Sequence, residues 1–318
     1  MLRTTSIEVY ECNETAVTSP PKSQTFHQLA TKQQDISFRG VQLAHAVVKA
    51  DYLDRRSLLR PGIAFLLQAQ DILKVGSSTI TLQDDLNDVF NDFSITGLIG
   101  RLGQGLTILY AQRRLGMQFV AHLQSYLAAS TGRKRGSEAT ADFVFERGGQ
   151  TFLFESKASF TLQQNDPSRI RGRLKDALER QVDPWMKRLT PAPSNGYVVY
   201  SCLRESTWVP SAMFVVDPPG ESNSGAEFAL PPQQVWRENY GAWLRAMGLG
   251  ESGQRLVRGA QMRGEPRRVA FALRTIGGRR YGVGVGVGVD PVRWTVSGLI
   301  LKPSGVPRQH AAGHARGH

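Results

Sequence analysis

Two short apolar segments joined by a pair of glycines constrain the fold more than any other feature of this sequence. Residues 142–145 and 151–158 are rich in Phe, Leu and Val, and Gly148-Gly149 lies between them. Glycine readily adopts the positive φ angles that a two-residue turn between antiparallel strands requires. The pattern therefore predicts a β-hairpin whose register is set by the position of the two glycines.

The register of this predicted hairpin brings three charged side chains to one patch. Asp142 would lie directly opposite Glu155, with their Cβ atoms about 4.5–5.5 Å apart. Lys157 is two residues beyond Glu155, so it would project from the same face. Two facing carboxylates repel each other, and a bridging divalent cation or a buried ion network that includes Lys157 would compensate. A salt-bridged sheet edge near solvent is the alternative without a metal.

The hairpin lies within an ordered alternation of helices and strands. Apolar periodicity predicts two further helices and three further strands in this part of the chain. They are a helix at 101–115, a strand at 117–127, a helix at 169–189, and strands at 197–202 and 213–216. Gly116 is expected to end the first of these helices, and Pro184 to end or kink the second.

This arrangement resembles the core of the PD-(D/E)xK, or restriction-endonuclease-like, nuclease superfamily. That core runs helix, three-strand meander, helix, strand, and residues 97–217 follow this order. Ala141-Asp142 stands where the family has Pro-Asp, and Glu155-Ser156-Lys157 stands as its ExK motif. The resemblance implies an α/β fold with a mixed sheet. It also implies a metal-dependent endonuclease that acts in restriction, defence or repair.

The resemblance further implies a cofactor and a role for each residue of the motif. Mg²⁺ or Mn²⁺ would be held by Asp142, Glu155 and the Ser156 carbonyl. Such a cation neutralises charge on the phosphate and lowers the pKa of the attacking water. Lys157 would orient or deprotonate that water, or would stabilise the phosphate charge.

Two glutamines complete the site that the resemblance implies. Family members often carry a Glu on the first core helix, where this chain has Gln104. A neutral Gln can hold a metal-bound water but weakens the metal site, so a DNA-binding module without catalysis is the alternative function. The family often has Gln, Lys or Arg on the helix after ExK. Gln181 is the best candidate there and Arg180 the alternative.

The net charge of the chain, +12 over 318 residues, is concentrated towards its end. Residues 251–318 contain eleven Arg and one Lys against three acidic residues, a net charge of +9. This charge favours a polyanionic partner, and we expect nucleic acid, DNA in preference to RNA. The candidate contacts are Arg133, Lys134, Arg135, Arg267, Arg268, Arg279 and Arg280. A solvated Arg-rich surface with no such partner is the alternative.

Three regions are predicted along the chain. Residues 1–96 are expected to be mostly helical, residues 97–217 to form the nuclease-like core, and residues 218–318 to be a basic α+β region with a frayed tail. The longest apolar run, Ile63–Leu67, is too short to span a bilayer, and the N-terminus lacks an apolar signal-peptide core. We expect a cytoplasmic protein without a membrane partner. The sequence does not decide between a monomer and a homodimer.

Overall fold

The computed structural model places the chain in two units, Met1–Gln261 and Met262–His318. In the first unit it describes residues 4–52, 59–74, 76–86, 92–131, 139–160, 165–206, 209–217, 228–229, 233–246 and 250–259. In the second unit it describes only the backbone of four strands. Within these described residues, no helix is both long and apolar enough to cross a membrane.

The first unit has α/β architecture. Its strands are β1 (Thr4–Cys12), β2 (Ala30–Arg39), β3 (Phe119–His122), β4 (Phe143–Arg147), β5 (Gln150–Ser159), β6 (Leu189–Thr190), β7 (Asn195–Cys202), β8 (Ala212–Val216) and β9 (Phe228–Ala229). Its helices are α1 (Glu14–Thr18), α2 (Phe26–Leu29), α3 (Gly40–Tyr52), α4 (Leu59–Ile72), α5 (Asp92–Arg114), α6 (Leu123–Thr131), α7 (Pro167–Ala177), α8 (Asp183–Arg188), α9 (Gln234–Ala246) and α10 (Gly250–Val257). A π-helical turn, Leu178–Val182, connects α7 to α8.

A mixed seven-stranded sheet lies at the centre of this unit, with the strand order β2-β1-β8-β7-β5-β4-β3. Strand β1 is parallel to β8 and β5 is parallel to β7, while the other neighbours are antiparallel. One apolar cluster lies on the sheet face that packs against α3, α4 and α5. A second lies on the opposite face, beneath α1, α6, α7 and α8.

The hairpin around Gly148-Gly149 forms with the predicted register. Arg147 pairs with Gln150, and the ladder extends to the pair of Phe143 and Phe154. Gly148 and Gly149 have φ angles of 59° and 81°, as a tight turn between antiparallel strands requires. Alternation along β4 and β5 places their phenylalanines on one face of the sheet, where they are buried beneath α5.

The expectation of a mostly helical region over residues 1–96 is wrong in part, because β1 and β2 belong to the central sheet. Strand β1 has only Ile7 and Val9 as buried aliphatic residues, and β2 is an edge strand with few apolar side chains. Helix α5 also begins at Asp92, so no boundary lies at residue 97. Strands β1 and β2 are extended because of pairing across the sheet and not because of a local apolar pattern.

The strand predicted over 117–127 is also shorter than expected. Strand β3 ends at His122, and α6 begins at Leu123, where the backbone N–H donates to the Asp142 carbonyl at 3.1 Å. Leu123, Tyr126 and Leu127 are spaced for a helix and are buried. The expected strand therefore divides into a short strand and a helix.

The predicted division of the chain at residue 218 differs from the observed units. Helix α9 belongs to the first unit because it covers β3, the edge strand. Its Asn239 side chain accepts a hydrogen bond from the Val120 N–H at 3.4 Å, and Tyr240 lies 5.6 Å from the Phe119 ring. Covering an edge strand satisfies polar groups that would otherwise be unpaired.

The remaining predicted elements form close to their expected positions. Helix α5 ends just before Gly116, which has a φ of 67°. The predicted helix over 169–189 becomes α7, the π-helical turn and α8, with Pro184 in the first turn of α8. Strands β7 and β8 confirm the two short apolar strands.

The second unit contains a four-stranded antiparallel sheet. Its strands are β10 (Ala272–Ile276), β11 (Arg279–Val283), β12 (Trp294–Ser297) and β13 (Ile300–Pro303), in the order β10-β11-β13-β12. Ile276 pairs with Arg279 across the segment that contains Gly277-Gly278.

Candidate active site

The two carboxylates predicted to face each other lie at the end of the hairpin, one step beyond its last ladder pair. The Asp142 backbone N–H donates to Oε2 of Glu155 at 3.1 Å. The Ser156 backbone N–H in turn donates to Oδ2 of Asp142 at 3.0 Å. Each carboxylate is thus held by the backbone of the opposite segment, which fixes the two acidic groups close together.

Lys157 joins this pair from the same strand. Its Nζ lies 2.6 Å from Oε1 of Glu155 and 2.6 Å from the side-chain oxygen of Gln181. The Glu155 side chain is 1% exposed and that of Lys157 is 31% exposed, so the ammonium lies nearer to solvent than its partner. Of this pair, the Lys157 ammonium is therefore the group that solvent or a bound molecule can reach.

Gln181 is positioned by the π-helical turn between α7 and α8. Its amide nitrogen donates to the Thr140 carbonyl at 3.1 Å, while its oxygen accepts from Lys157. Four residues later, the Trp185 indole donates to the Ala139 carbonyl at 2.9 Å. The turn therefore holds both the lysine and the segment that leads into Asp142. Single π-helical turns occur frequently at functional sites.

Gln104 reaches the site from the opposite face of the sheet, on α5. Its side chain hydrogen-bonds to Asp142 and favours the ionised form of that carboxyl group. The close approach of α5 to the sheet depends on Gly103, because a Cβ atom there would lie 2.5 Å from the Ala158 Cβ. Glycine at this position therefore allows the neighbouring glutamine to contact the acidic pair.

Thr107 also links α5 to the ExK segment. Its hydroxyl donates to the Gly103 carbonyl at 3.0 Å and lies 2.9 Å from the Ser156 hydroxyl. The Thr107 hydroxyl is oriented to donate to either oxygen, and its single proton can serve one of these two acceptors at a time. This contact holds the Ser156 side chain against α5, while the Ser156 backbone N–H donates to Asp142.

Burial dominates the electrostatics of the acidic pair. Burial raises the pKa of Glu155, and the neighbouring Asp142 raises it further, while Lys157 acts in the opposite direction. Burial likewise raises the pKa of Asp142, against the hydrogen bonds from Ser156 and Gln104. A cation bound between these groups would lower both pKa values by compensating their charge.

His122 acts on the site, although no pattern in the sequence singled it out. Its Nε2 lies 2.6 Å from the Ala50 carbonyl, and because a carbonyl only accepts, Nε2 carries the proton. Its charge, when protonated, favours ionised Asp142. Its position at the end of β3 is the signal that could have pointed to it, since β3 pairs with the strand that follows Asp142.

The oxygen atoms gathered here suit a hard divalent cation. Carboxylates and main-chain carbonyls are the ligands that Mg²⁺ and Mn²⁺ prefer. The described residues contain no group of three or more His, Cys, Asp and Glu side chains able to hold a metal. Asp142 and Glu155 are the carboxylates that the hairpin brings together in this cluster.

The predicted nucleic-acid contacts lie largely outside the described residues. This applies to Arg133, Lys134, Arg135, Arg267 and Arg268. Arg279 and Arg280 lie in β11, and only their backbone is described. Their role stays a prediction.

Comparison with known proteins leaves the geometry of the site as the basis for assigning function. No protein-family model matches the chain, and no curated protein or solved structure is significantly similar to it.

Proposed function

We propose that this chain is a metal-dependent nuclease with a restriction-endonuclease-like core, and that it hydrolyses phosphodiester bonds in DNA. One observation carries the proposal: Asp142, Glu155, Lys157 and Gln181 converge on one end of the hairpin, with contacts of 2.6–3.1 Å. The order of elements around the hairpin, helix, meander, helix and strand, supports it as well.

Each residue of the cluster would have its own role in phosphodiester hydrolysis. Asp142, Glu155 and the Ser156 carbonyl would hold Mg²⁺ or Mn²⁺, which supplies charge neutralisation at the phosphate and a water of lowered pKa. Lys157, held between Glu155 and Gln181, can orient the attacking water or donate to a phosphate oxygen. Positioning of this kind removes much of the entropic cost of bringing the reactants together.

The alternative is a DNA-binding module that keeps this fold without catalysis. Gln104 favours it, because the amide that contacts Asp142 brings no negative charge to a cation. Salt-sensitive DNA binding without cleavage would support this alternative.

Plasmid cleavage in Mg²⁺ or Mn²⁺ tests the proposal directly. Wild-type protein should nick or linearise supercoiled DNA. Lys157→Ala should reduce the rate by about 10²- to 10⁴-fold, because it removes a charge that positions the reacting groups. Lys22→Ala, at an exposed lysine outside the cluster, is the matched control and should cleave at the wild-type rate.

Two results would contradict the proposal. Unchanged cleavage by Lys157→Ala, when the protein is free of contaminating nuclease, would remove the lysine from the mechanism. Absence of cleavage by the wild type with both metals would favour the binding module or a function without nucleic acid. Circular dichroism of each variant shows whether its fold is retained.

A further inference from the structure

We infer that the exposed side of α7 and of the turn after it binds the phosphate backbone of nucleic acid beside the candidate active site. This surface, here called the basic flank, consists of Arg169, Arg173 and Arg180. The inference rests on the proposed function, since it identifies where the nucleic acid would lie. Arg169 and Arg173 were not expected from the sequence, and Arg180 was expected only as the alternative to Gln181 in the candidate active site.

The arginines of the basic flank are available to a ligand. Arg169 and Arg180 have side chains that are 69% and 77% exposed, and their ion pairs with Asp166 and Asp176 measure 3.6 and 2.8 Å. Ion pairs this exposed contribute about 0–1 kcal/mol and are readily exchanged for a phosphate.

Arg173 is the central residue of the basic flank, and its guanidinium has the most donors left for a ligand. Its side chain is exposed, and within the described residues it forms no hydrogen bond or ion pair. The neighbouring Gly172 has open space around the position of a Cβ atom. A guanidinium with free donors suits a phosphate, which it can contact through two hydrogen bonds at once.

The basic flank lies on the side of α7 away from Lys175. On the other side, Lys175 donates to the Thr18 carbonyl at 3.3 Å and so faces α1. Arg169 and Arg173 are separated by one helical turn and project from the opposite side. Arg173 also acts electrostatically on Tyr200, whose burial raises its pKa and whose pKa the Arg173 charge lowers.

Tyr200 connects this surface to the candidate active site. Its hydroxyl lies 2.9 Å from the Ser159 hydroxyl, and Ser159 is two residues beyond Lys157 on β5. Tyr200 is also the partner of Lys157 in the β5–β7 ladder. The π-helical turn after α7 carries Gln181, which contacts Lys157. Tyr200 itself is buried and offers no contact to a ligand, so it connects the two only by position. We therefore expect a nucleic acid held at Arg173 and Arg180 to run past Lys157 and Gln181.

DNA binding measured without divalent metal tests the basic flank separately from cleavage. The probe is a fluorescein-labelled DNA duplex in EDTA, titrated with the full-length protein at several salt concentrations. Arg173→Ala should weaken binding and lower the slope of log affinity against log salt by about one. Arg173→Lys, which keeps the charge, should retain most of that slope. Arg39→Ala removes an exposed arginine at the end of the edge strand β2 and should behave as wild type.

The possible failures of the two proposals are distinguishable. If Arg173→Ala and Arg39→Ala bind with equal affinity and equal salt slope, the proposal of the basic flank is wrong even when the wild type cleaves DNA. If the wild type binds duplex through Arg173 but never cleaves, the nuclease proposal fails and the basic flank stands. Binding to anionic lipid vesicles with no binding to DNA would overturn the proposal that the basic flank binds nucleic acid.

Discussion

Lys49 offers a quantitative test of how burial acts on charge in this structure. It lies on α3 and is 6% exposed, and burial lowers its pKa from 10.5 to about 8. Within the described residues no acidic side chain forms an ion pair with it. A buried ammonium without such a partner retains much of its desolvation cost.

The lowered pKa of Lys49 gives the size of the desolvation cost of its buried ammonium, and the pH range over which this cost acts. The difference between 10.5 and about 8 corresponds to about 3 kcal/mol of folding free energy. Because the unfolded chain binds the proton more strongly, the cost is fully present below pH 8. It decreases as the pH rises from 8 to 10.5, and it is absent above that range.

Replacing Lys49 by Met removes the charge and keeps a side chain of similar length. At pH 7, Lys49→Met should increase the free energy of unfolding by about 1–3 kcal/mol. His45, whose pKa is lowered to about 4 by burial and then by Lys49, should titrate at a higher pH in the variant.

Urea unfolding of the wild type and of Lys49→Met at pH 7 and pH 10 measures these effects. The gain in stability should be large at pH 7 and much smaller at pH 10, where the wild-type lysine is mostly neutral. Lys32→Met, at a lysine with a 52% exposed side chain, is the control and should lack this pH dependence. A gain of equal size at both pH values, or no gain at pH 7, would refute the argument.

Two further predictions concern α5. Gln104→Glu should lower the Mg²⁺ concentration for half-maximal cleavage by about tenfold, because a third carboxylate increases the negative charge around the cation; an unchanged metal titration would contradict this. Gly103→Ala should destabilise the protein by about 1–3 kcal/mol, since its Cβ would overlap Ala158. Gly100→Ala, where nothing lies within 4 Å, should instead stabilise α5 by about 0.5–1 kcal/mol. Equal unfolding free energies for these two alanine variants would show that close packing at Gly103 is unimportant.

The sequence alone determined the hairpin and the placement of its charged residues. Its information is local: two glycines specify the turn, and the alternation of strand side chains then carries the register outwards to Asp142 and Glu155. Lys157 follows from the same alternation, and the resemblance to a nuclease motif added Gln181. These features depend on residues that are near one another in the chain, or on a pattern that the chain displays directly.

Tertiary structure decided the features that depend on distant partners. Strand β2 is extended because β1 provides its hydrogen bonds, although its own side chains are mostly polar. The resemblance named Gln104, but its contact with Asp142 depends on Gly103, which lets α5 approach Ala158. His122 likewise contacts the Ala50 carbonyl, on α3, only because the fold brings β3 close to that helix. Contacts of this kind leave no periodic signal in the sequence, since each depends on packing between segments that are far apart along the chain.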